Sequence, residues 1–212
     1  MDDDTDKPNR AFKPTERRKA DLAGPDFYPT PTWPTRALVK HEKFRGSIWE
    51  PACGDGAMAR VLEETGCSVI SSDLYDRGYG KSGVDFLKSV DKVDNVVTNP
   101  PYNSAEEFVQ TALRIAKWKC AFLLRLAFLE GAKRYRTLFS KRPPTRIWVF
   151  SERITFYPAG AQVRGSGTTA YAWFVWDRKA DQGKTEIRWL PPGNKPKTIS
   201  MKPIANDNEV VA

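Results

Sequence analysis

Short apolar segments and helix-like segments alternate through the middle of the chain, and this alternation is the strongest constraint on its fold. The apolar segments are bounded by turn residues, which is typical of buried strands. The predicted strands are Ser47–Glu50, Cys67–Asp73, Asn95–Asn99, Lys119–Leu126 and Ile147–Ser151. The predicted helices are Ala57–Thr65, Ala105–Lys117 and Glu130–Phe139. Alternation of this kind predicts an α/β fold with a Rossmann-like, mostly parallel sheet and helices on both faces.

The end of the chain departs from this alternation. Two strand-like segments, Ala170–Trp176 and Glu186–Leu190, follow one another with only the polar turn DRKADQGK between them. Because no helix separates them, we predict a C-terminal antiparallel hairpin at the edge of the sheet.

The two ends of the chain differ in composition from the segment between them. Residues 1–24 are highly charged and carry little that is apolar, which predicts a disordered lead-in. Residues 191–212 have a similar character and are predicted to be a flexible tail. The segment 25–190 has the length of a single domain with a full core.

Composition limits the classes of protein to which the chain can belong. Its net charge of +8 and pI near 9.4 favour a polyanionic partner such as nucleic acid. The three cysteines, Cys53, Cys67 and Cys120, are an odd number without metal-ligand spacing, so we expect neither a disulfide framework nor a metal site. The longest apolar stretch, Ala121–Leu129, is too short to span a bilayer, and we see no secretory signal. We therefore expect a cytoplasmic protein without membrane contact.

A glycine-containing turn links the first predicted strand to the first predicted helix, in IWEPACGDGAMARVLEE at residues 48–64. Gly54 and Gly56 let the backbone approach a ligand closely, and the next helix offers unpaired amide groups. The spacing matches neither glycine pattern that binds nucleotide phosphates. Glu50 and Asp55 instead place carboxylates around the turn, and carboxylates suit a cationic ligand that carries an ammonium or sulfonium group.

Two further acidic residues fit a nucleoside. Asp73 ends the second predicted strand, where doubly wound folds hydrogen-bond a ribose diol. In GVDFLK, Asp85 offers an acceptor for an exocyclic amine, and Phe86 offers an apolar ring surface beside it. An adenosine with a charged amino-acid tail fits all these features.

The third predicted strand ends abruptly in NPPY. Pro100 and Pro101 cannot donate ladder hydrogen bonds, so the strand stops there and the turn is stiff. An aromatic amine is a poor nucleophile because its lone pair is delocalised into the ring. Two acceptors aimed at its hydrogens favour a pyramidal nitrogen, and the Asn99 side-chain oxygen and the Pro100 carbonyl can supply them. Tyr102 can stack on a base, an interaction worth about 1–3 kcal/mol.

Attack by such an amine on an electrophile needs no strong general base, because its N–H groups become acidic only after the nitrogen has reacted. The only histidine, His41, is predicted to lie in a surface helix. Reaction at carbon C5 of cytosine would need a nucleophilic cysteine near NPPY, and none of the three is placed there.

The motifs EPACGDG, SSD, VDF and NPPY, in this order and spacing, resemble those of S-adenosylmethionine-dependent methyltransferases that modify exocyclic amines. The upstream DFYPTPTWPTRALV, residues 26–39, is similar to the N-terminal motif of DNA adenine-N6 methyltransferases, in particular the short phage and prophage enzymes. The resemblance covers about residues 26–177. It implies the class I methyltransferase sheet, S-adenosyl-L-methionine as cofactor and DNA as partner.

The resemblance also implies roles for individual residues. Asp73 would hold the ribose, Asp85 and Phe86 the adenine, and Thr30 the methionine end of the cofactor. The implied cofactor-binding residues are Tyr28, Thr30, Pro31, Glu50, Cys53, Gly54, Asp55, Gly56, Asp73, Asp85, Phe86 and Asn99. The implied catalytic residues are Asn99, Pro100, Pro101 and Tyr102.

NPPY also occurs in other families that methylate a planar nitrogen. RNA adenine and guanine N-methyltransferases and protein glutamine methyltransferases share it, and a catalytically silent nucleic-acid-binding protein is a further alternative. Those enzyme families usually carry an extra N-terminal domain, which the short lead-in does not provide. The YPTP motif further favours adenine in DNA.

A base inside a duplex cannot reach such a pocket, so the target must be flipped out or already single-stranded. The loop at 152–171 is long and rich in glycine and aromatic residues, and it joins two predicted strands. We expect Arg153, Phe156, Tyr157 and Arg164 to hold the target base or its neighbours. Little chain is left for a target-recognition domain, so we expect short or relaxed sequence specificity, unless the protein dimerises.

Overall fold

The computed structural model describes residues 29–156, 167–181 and 183–196. In these residues the strands are β1 (Ser47–Glu50), β2 (Ser68–Ser71), β3 (Val93–Thr98), β4 (Ala116–Arg125), β5 (Arg146–Phe150), β6 (Tyr171–Asp177) and β7 (Glu186–Leu190). The α-helices are α1 (Thr32–His41), α2 (Ala57–Glu63), α3 (Ala105–Ile115) and α4 (Ala132–Arg134), and α4 continues as a π-helical segment at Tyr135–Phe139. The predicted elements are all present, with ends that differ by at most a few residues.

The seven strands form one sheet in the order β2-β1-β3-β4-β6-β5-β7, and only β6 runs antiparallel to its neighbours. This confirms the predicted Rossmann-like, mostly parallel sheet with an antiparallel hairpin, which β5 and β6 form. The prediction that the last two strands pair with each other was wrong, because β5 lies between β6 and β7 and runs parallel to β7. Burial agrees with this order, since Tyr171–Trp176 are all buried, as in a strand covered on both faces, whereas β7 is an exposed edge strand.

Helices cover both faces of the sheet, as predicted. On one face α1 and α2 supply Leu38 and Met58 to a core that contains Trp173. On the other face α3 and the π-helical segment supply Phe108 and Leu138 to a second core. A large apolar side chain stabilises the fold by roughly 1.5–3 kcal/mol when fully buried, so both layers hold the sheet in place. No helix within the described ranges is long and apolar enough to cross a membrane.

A buried ion cluster fixes the end of α1 to the sheet. Glu42, directly after α1, accepts hydrogen bonds from Arg146 Nε (2.5 Å), Lys119 Nζ (2.6 Å) and Trp148 Nε1 (2.9 Å). Burial alone would raise the pKa of Glu42, but these donors outweigh it and lower the pKa. Because α1 is anchored to β4 and β5 in this way, the residues just before α1 have a defined position over the sheet.

Candidate active site

Several strand ends meet at one edge of the sheet. Glu50 ends β1, Asp73 follows β2, Asn99 follows β3, and Arg125 ends β4. Because β6 runs in the opposite direction, its first residue, Tyr171, lies at the same edge and pairs with Arg125. The topology therefore brings the acidic residues of the glycine turn and the NPPY turn to one side of the molecule.

The glycine turn after β1 is tied to Asp73. The Gly54 amide donates to Asp73 Oδ2 at 2.9 Å, and the Tyr75 amide donates to Asp73 Oδ1 at 3.0 Å. Asp55 Oδ1 accepts from the Ala57 amide at 3.1 Å, at the start of α2. Each carboxylate oxygen has two lone pairs, so Asp73 can still accept hydrogen bonds from a ribose diol.

Glu50 is the most unusual ionisable group in the site. Its side chain is 2% exposed, and its Oε2 has no hydrogen-bond partner. Burial, together with the charges of Asp73 and Asp55, raises the pKa of Glu50 well above its ordinary value. The Ala59 amide gives this carboxyl group a hydrogen bond but leaves Oε2 unpaired, so its ionised form is costly to the fold, and a cationic ligand is the chemical group that would neutralise it.

Tyr79 covers the rest of the glycine turn. A side-chain carbon at Gly56 would lie 2.4 Å from the Tyr79 ring, and φ at Gly56 is +81°, so only glycine fits there. The Cys53 thiol donates to the Tyr79 carbonyl at 3.4 Å. Burial and the nearby Glu50 raise the pKa of Cys53 to about 12, so this thiol is no nucleophile.

Asp85 and Phe86 lie in different environments. Asp85 caps a short 3₁₀ turn, where its Oδ1 accepts from the Leu87 amide at 3.1 Å. Phe86 is 2% exposed, and its ring lies 5.1 Å from Trp49 and 5.0 Å from Phe108, centroid to centroid. Asp85 is thus half-buried, while the Phe86 ring is part of the core.

Asn99 is held with its amide oxygen free. Its Nδ2 donates to Thr30 Oγ1 at 3.0 Å, which joins the segment before α1 to the end of β3. Its Oδ1 is buried and has no hydrogen-bond partner. Pro31 is the residue that precedes α1, and the predicted Tyr28 lies outside the described residues.

The two prolines shape the turn that follows. Pro100 is buried and Pro101 is exposed, with φ −55° at Pro101. The Pro101 carbonyl accepts from the Ser104 amide at 3.1 Å, which closes a 3₁₀ turn at Tyr102–Ser104. This turn fixes the direction in which Tyr102 leaves the sheet.

Aromatic rings continue from Tyr102 toward the long loop. The Arg125 guanidinium lies over the Tyr102 ring, 4.4 Å from its centroid. The Tyr171 ring is 6.1 Å from Tyr102 and 5.1 Å from Phe156. Burial and the adjacent Tyr171 raise the pKa of Tyr102, so its hydroxyl stays neutral.

Two of the four predicted substrate-binding residues are in the described part of the chain. Phe156 belongs to the aromatic row beside Tyr102. Arg153 is exposed, and its Nη1 donates to the Thr168 carbonyl at 3.3 Å, across the base of the loop. Tyr157 and Arg164 lie outside the described residues.

Sequence reasoning missed three contributors to the site: Tyr79, Arg125 and Tyr171. Arg125 had a visible signal, since it is the one charge at the end of the apolar run CAFLLR. Tyr171 and Tyr79 had none, because their positions depend on which strands pair and on how the segment after β2 folds back.

Comparison with known proteins supports the fold. No family model and no curated protein matches the chain. A solved structure assigned as the modification subunit of a type I restriction enzyme from Vibrio vulnificus YJ016 has a TM-score of 0.56 and 16% identity, over 79% of this chain and 48% of that one. A protein assigned as a hemolysin from Lactococcus lactis has a TM-score of 0.51 and 11% identity, over 73% of this chain and 89% of its own. The chain therefore spans about half the length of the modification subunit and shares its fold.

Proposed function

We propose that the protein transfers a methyl group from S-adenosyl-L-methionine to the exocyclic N6 amine of adenine in DNA, with short or relaxed sequence specificity. The observation that carries this proposal is the buried, unpartnered Oδ1 of Asn99, which Thr30 holds at the end of β3 beside Tyr102. An acceptor in this position is what a planar amine needs at the moment it attacks. The similarity in fold to a restriction-enzyme modification subunit agrees with this proposal.

The residues around the glycine turn fit the proposed cofactor. Glu50, Asp55 and Asp73 form an acidic cluster that suits a ligand with sulfonium and ammonium groups. Asp73 would hold the ribose diol, and the half-buried Asp85 would accept from the adenine amine. When bound, S-adenosyl-L-methionine supplies an electrophilic methyl group.

The chain's own residues then act on the substrate amine. Asn99 Oδ1 and the Pro100 carbonyl accept hydrogen bonds from its two N–H groups, which localises the nitrogen lone pair and stabilises the positive charge that develops. The Asn99 amide cannot rotate freely, because Thr30 accepts from its Nδ2. Tyr102 stacks on the base, and Phe156 and Arg153 hold it from the loop side; the same role is proposed for Tyr157 and Arg164.

The cysteine thiols do not support a reaction at carbon C5 of cytosine. Burial raises the pKa of both Cys53 and Cys120 to about 12, and neither lies in the NPPY turn. A low-pKa thiolate is required for that reaction. The pKa values of these two thiols therefore support transfer to nitrogen over transfer to C5.

Cofactor binding provides the first test. Calorimetry should show S-adenosylmethionine or its demethylated product binding at one site per chain, and Asp73→Ala should weaken binding strongly because the turn and the ribose lose the same carboxylate. Asp76→Ala is the matched control, since Asp76 also accepts a local amide bond, from Gly78 at 3.0 Å, outside the proposed site. Absence of binding by the wild type would contradict the whole assignment.

Substrate class is tested by nucleoside analysis. After reaction with unmethylated DNA we expect N6-methyladenine and no 5-methylcytosine. Parallel reactions with RNA and with cell extract distinguish the alternatives. Labelled methyl groups found only in RNA, or only in a protein band, would support methyl transfer by this protein and rule out DNA as its substrate.

A further inference from the structure

A cavity of about 240 Å³ lies beside the NPPY turn, between the start of α3 and the connection from β4 to α4. Its lining includes Tyr102, Glu106, Glu107, Phe128, Lys133 and Arg134. Tyr102 is shared with the candidate active site, whereas Asn99 and Pro100 do not line the cavity. The cavity is therefore a neighbour of the place where the amine reacts.

Arg134 and Phe128 form a fixed, flat part of the cavity wall. The Arg134 guanidinium lies 4.2 Å from the Phe128 ring centroid. Arg134 Nη1 donates to the Phe128 carbonyl at 2.7 Å and to the Glu130 carbonyl at 2.6 Å, so its plane is held in place. Aromatic rings and guanidinium planes are the surfaces against which nucleobases pack.

The two glutamates of the cavity have different environments. Glu106 Oε1 accepts from Gln110 Nε2 at 3.2 Å and from the Thr137 hydroxyl, and Glu106 Oε2 lies 3.8 Å from Arg134 Nε. Glu107 is exposed and makes no hydrogen bond or ion pair within the part of the chain that the structure describes. Glu106 thus supports the wall, and Glu107 is a free acceptor.

We propose that this cavity binds the base next to the target adenine and that Glu107 selects a base with an exocyclic amine. The inference rests on the proposed function and names a specificity site for it. Cytosine and adenine carry an amine at the edge where thymine and guanine carry a carbonyl oxygen. A carboxylate accepts a hydrogen bond from the amine and repels the carbonyl, so the site prefers cytosine or adenine.

The cavity carries no net positive charge that would favour a phosphate, because Glu106 and Glu107 balance Arg134 and Lys133. Glu106 lies beside Arg134, whereas Lys133 is exposed and suits the backbone beside the base. Base selection and backbone attraction are therefore assigned to different side chains, which can be replaced one at a time.

The test uses the full chain with S-adenosylmethionine and DNA in which both neighbours of each adenine are randomised. Sequencing of methylated positions should show that, at one neighbouring position, cytosine or adenine gives a rate roughly tenfold higher than guanine or thymine. Glu107→Gln should remove this ratio, because an amide both donates and accepts. Glu130→Gln is the control with the same charge change at an exposed site outside the cavity lining, and it should keep the ratio.

A second variant separates base selection from backbone contact. Lys133→Ala should weaken binding to all sequences alike and reduce its salt dependence, without changing the ratio. Equal rates in all contexts, or an unchanged ratio in Glu107→Gln, would overturn the cavity's role and leave adenine methylation standing. A wild type that binds the cofactor and methylates no adenine would overturn the proposed function, and the base site with it.

Discussion

Replacement of Asn99 by alanine is expected to lower turnover on DNA about 10²–10³-fold, the typical effect of losing one preorganised hydrogen-bonding group in a transition state. The Asn99 Oδ1 is buried and unpartnered in the free protein, so its hydrogen bond to the amine forms without first breaking another. The glycine turn and Asp73 remain intact in this variant. Cofactor affinity should therefore fall far less than the rate, and DNA binding at fixed salt should hardly change.

Two further substitutions locate the origin of this effect. Thr30→Val removes the acceptor that orients the Asn99 amide and should give a smaller loss of turnover than Asn99→Ala. Thr65→Val is its control, since the Thr65 hydroxyl only donates to the Leu62 carbonyl at the end of α2. Tyr102→Ala should slow the reaction, while Tyr102→Phe should be milder, because stacking needs the ring more than the hydroxyl.

Single-turnover kinetics with saturating cofactor measures the chemical step in each variant. Near-normal turnover in Asn99→Ala would contradict the catalytic assignment. NPPY would then be only a strand end that its prolines make stiff. An equal loss in Thr65→Val and Thr30→Val would show that the effect is a general loss of stability.

The positions of Asp73 and Asn99 at one edge could be predicted from the sequence because they depend on local signals. Alternating strands and helices imply a parallel sheet, and the carboxyl ends of parallel strands share an edge. The residues that follow strands 2 and 3 must then lie near each other and near the glycine turn. The bond from Gly54 to Asp73 agrees with that inference.

Strand order beyond β4 could not be read in the same way. Whether β6 pairs with β5 or with β7 depends on packing between segments that are distant in sequence, and the short turn before β7 suggested the wrong partner. The unbroken apolar run of β6 indicates an interior strand, but it does not distinguish β5 from β7 as its neighbour. The place of Tyr171 beside Arg125 and Tyr102 follows from the antiparallel pairing of β6 with β4, another contact between segments that are distant in sequence.

Glu50→Gln is expected to stabilise the free protein increasingly as pH rises. The pKa of Glu50 is higher in the folded protein than in the unfolded chain, so its favourable contribution is fully present below the unfolded value of about 4.3 and is lost as pH rises through the folded value. Between these two values, the difference in unfolding free energy between the variant and the wild type should grow by up to about 1.4 kcal/mol per pH unit. Denaturant titrations of the cofactor-free protein from pH 5 to 8 measure this slope, and Glu130→Gln is the control with the same charge change at an exposed position.

The same substitution should weaken binding of the cofactor. If Glu50 is the counter-charge for a sulfonium or ammonium group, a cationic ligand favours its ionised form, and binding must release a proton at any pH where the free carboxyl is protonated. Wild-type affinity should then rise with pH, and calorimetry in buffers of different ionisation enthalpy should detect the proton. Glu50→Gln should lose both the proton release and the pH dependence, and a variant that binds the cofactor as tightly as the wild type would show that the cation lies elsewhere. If Glu50 serves ligand binding, its replacement should make the free protein more stable and weaken cofactor binding. If Glu50 serves the fold, its replacement should make the protein less stable.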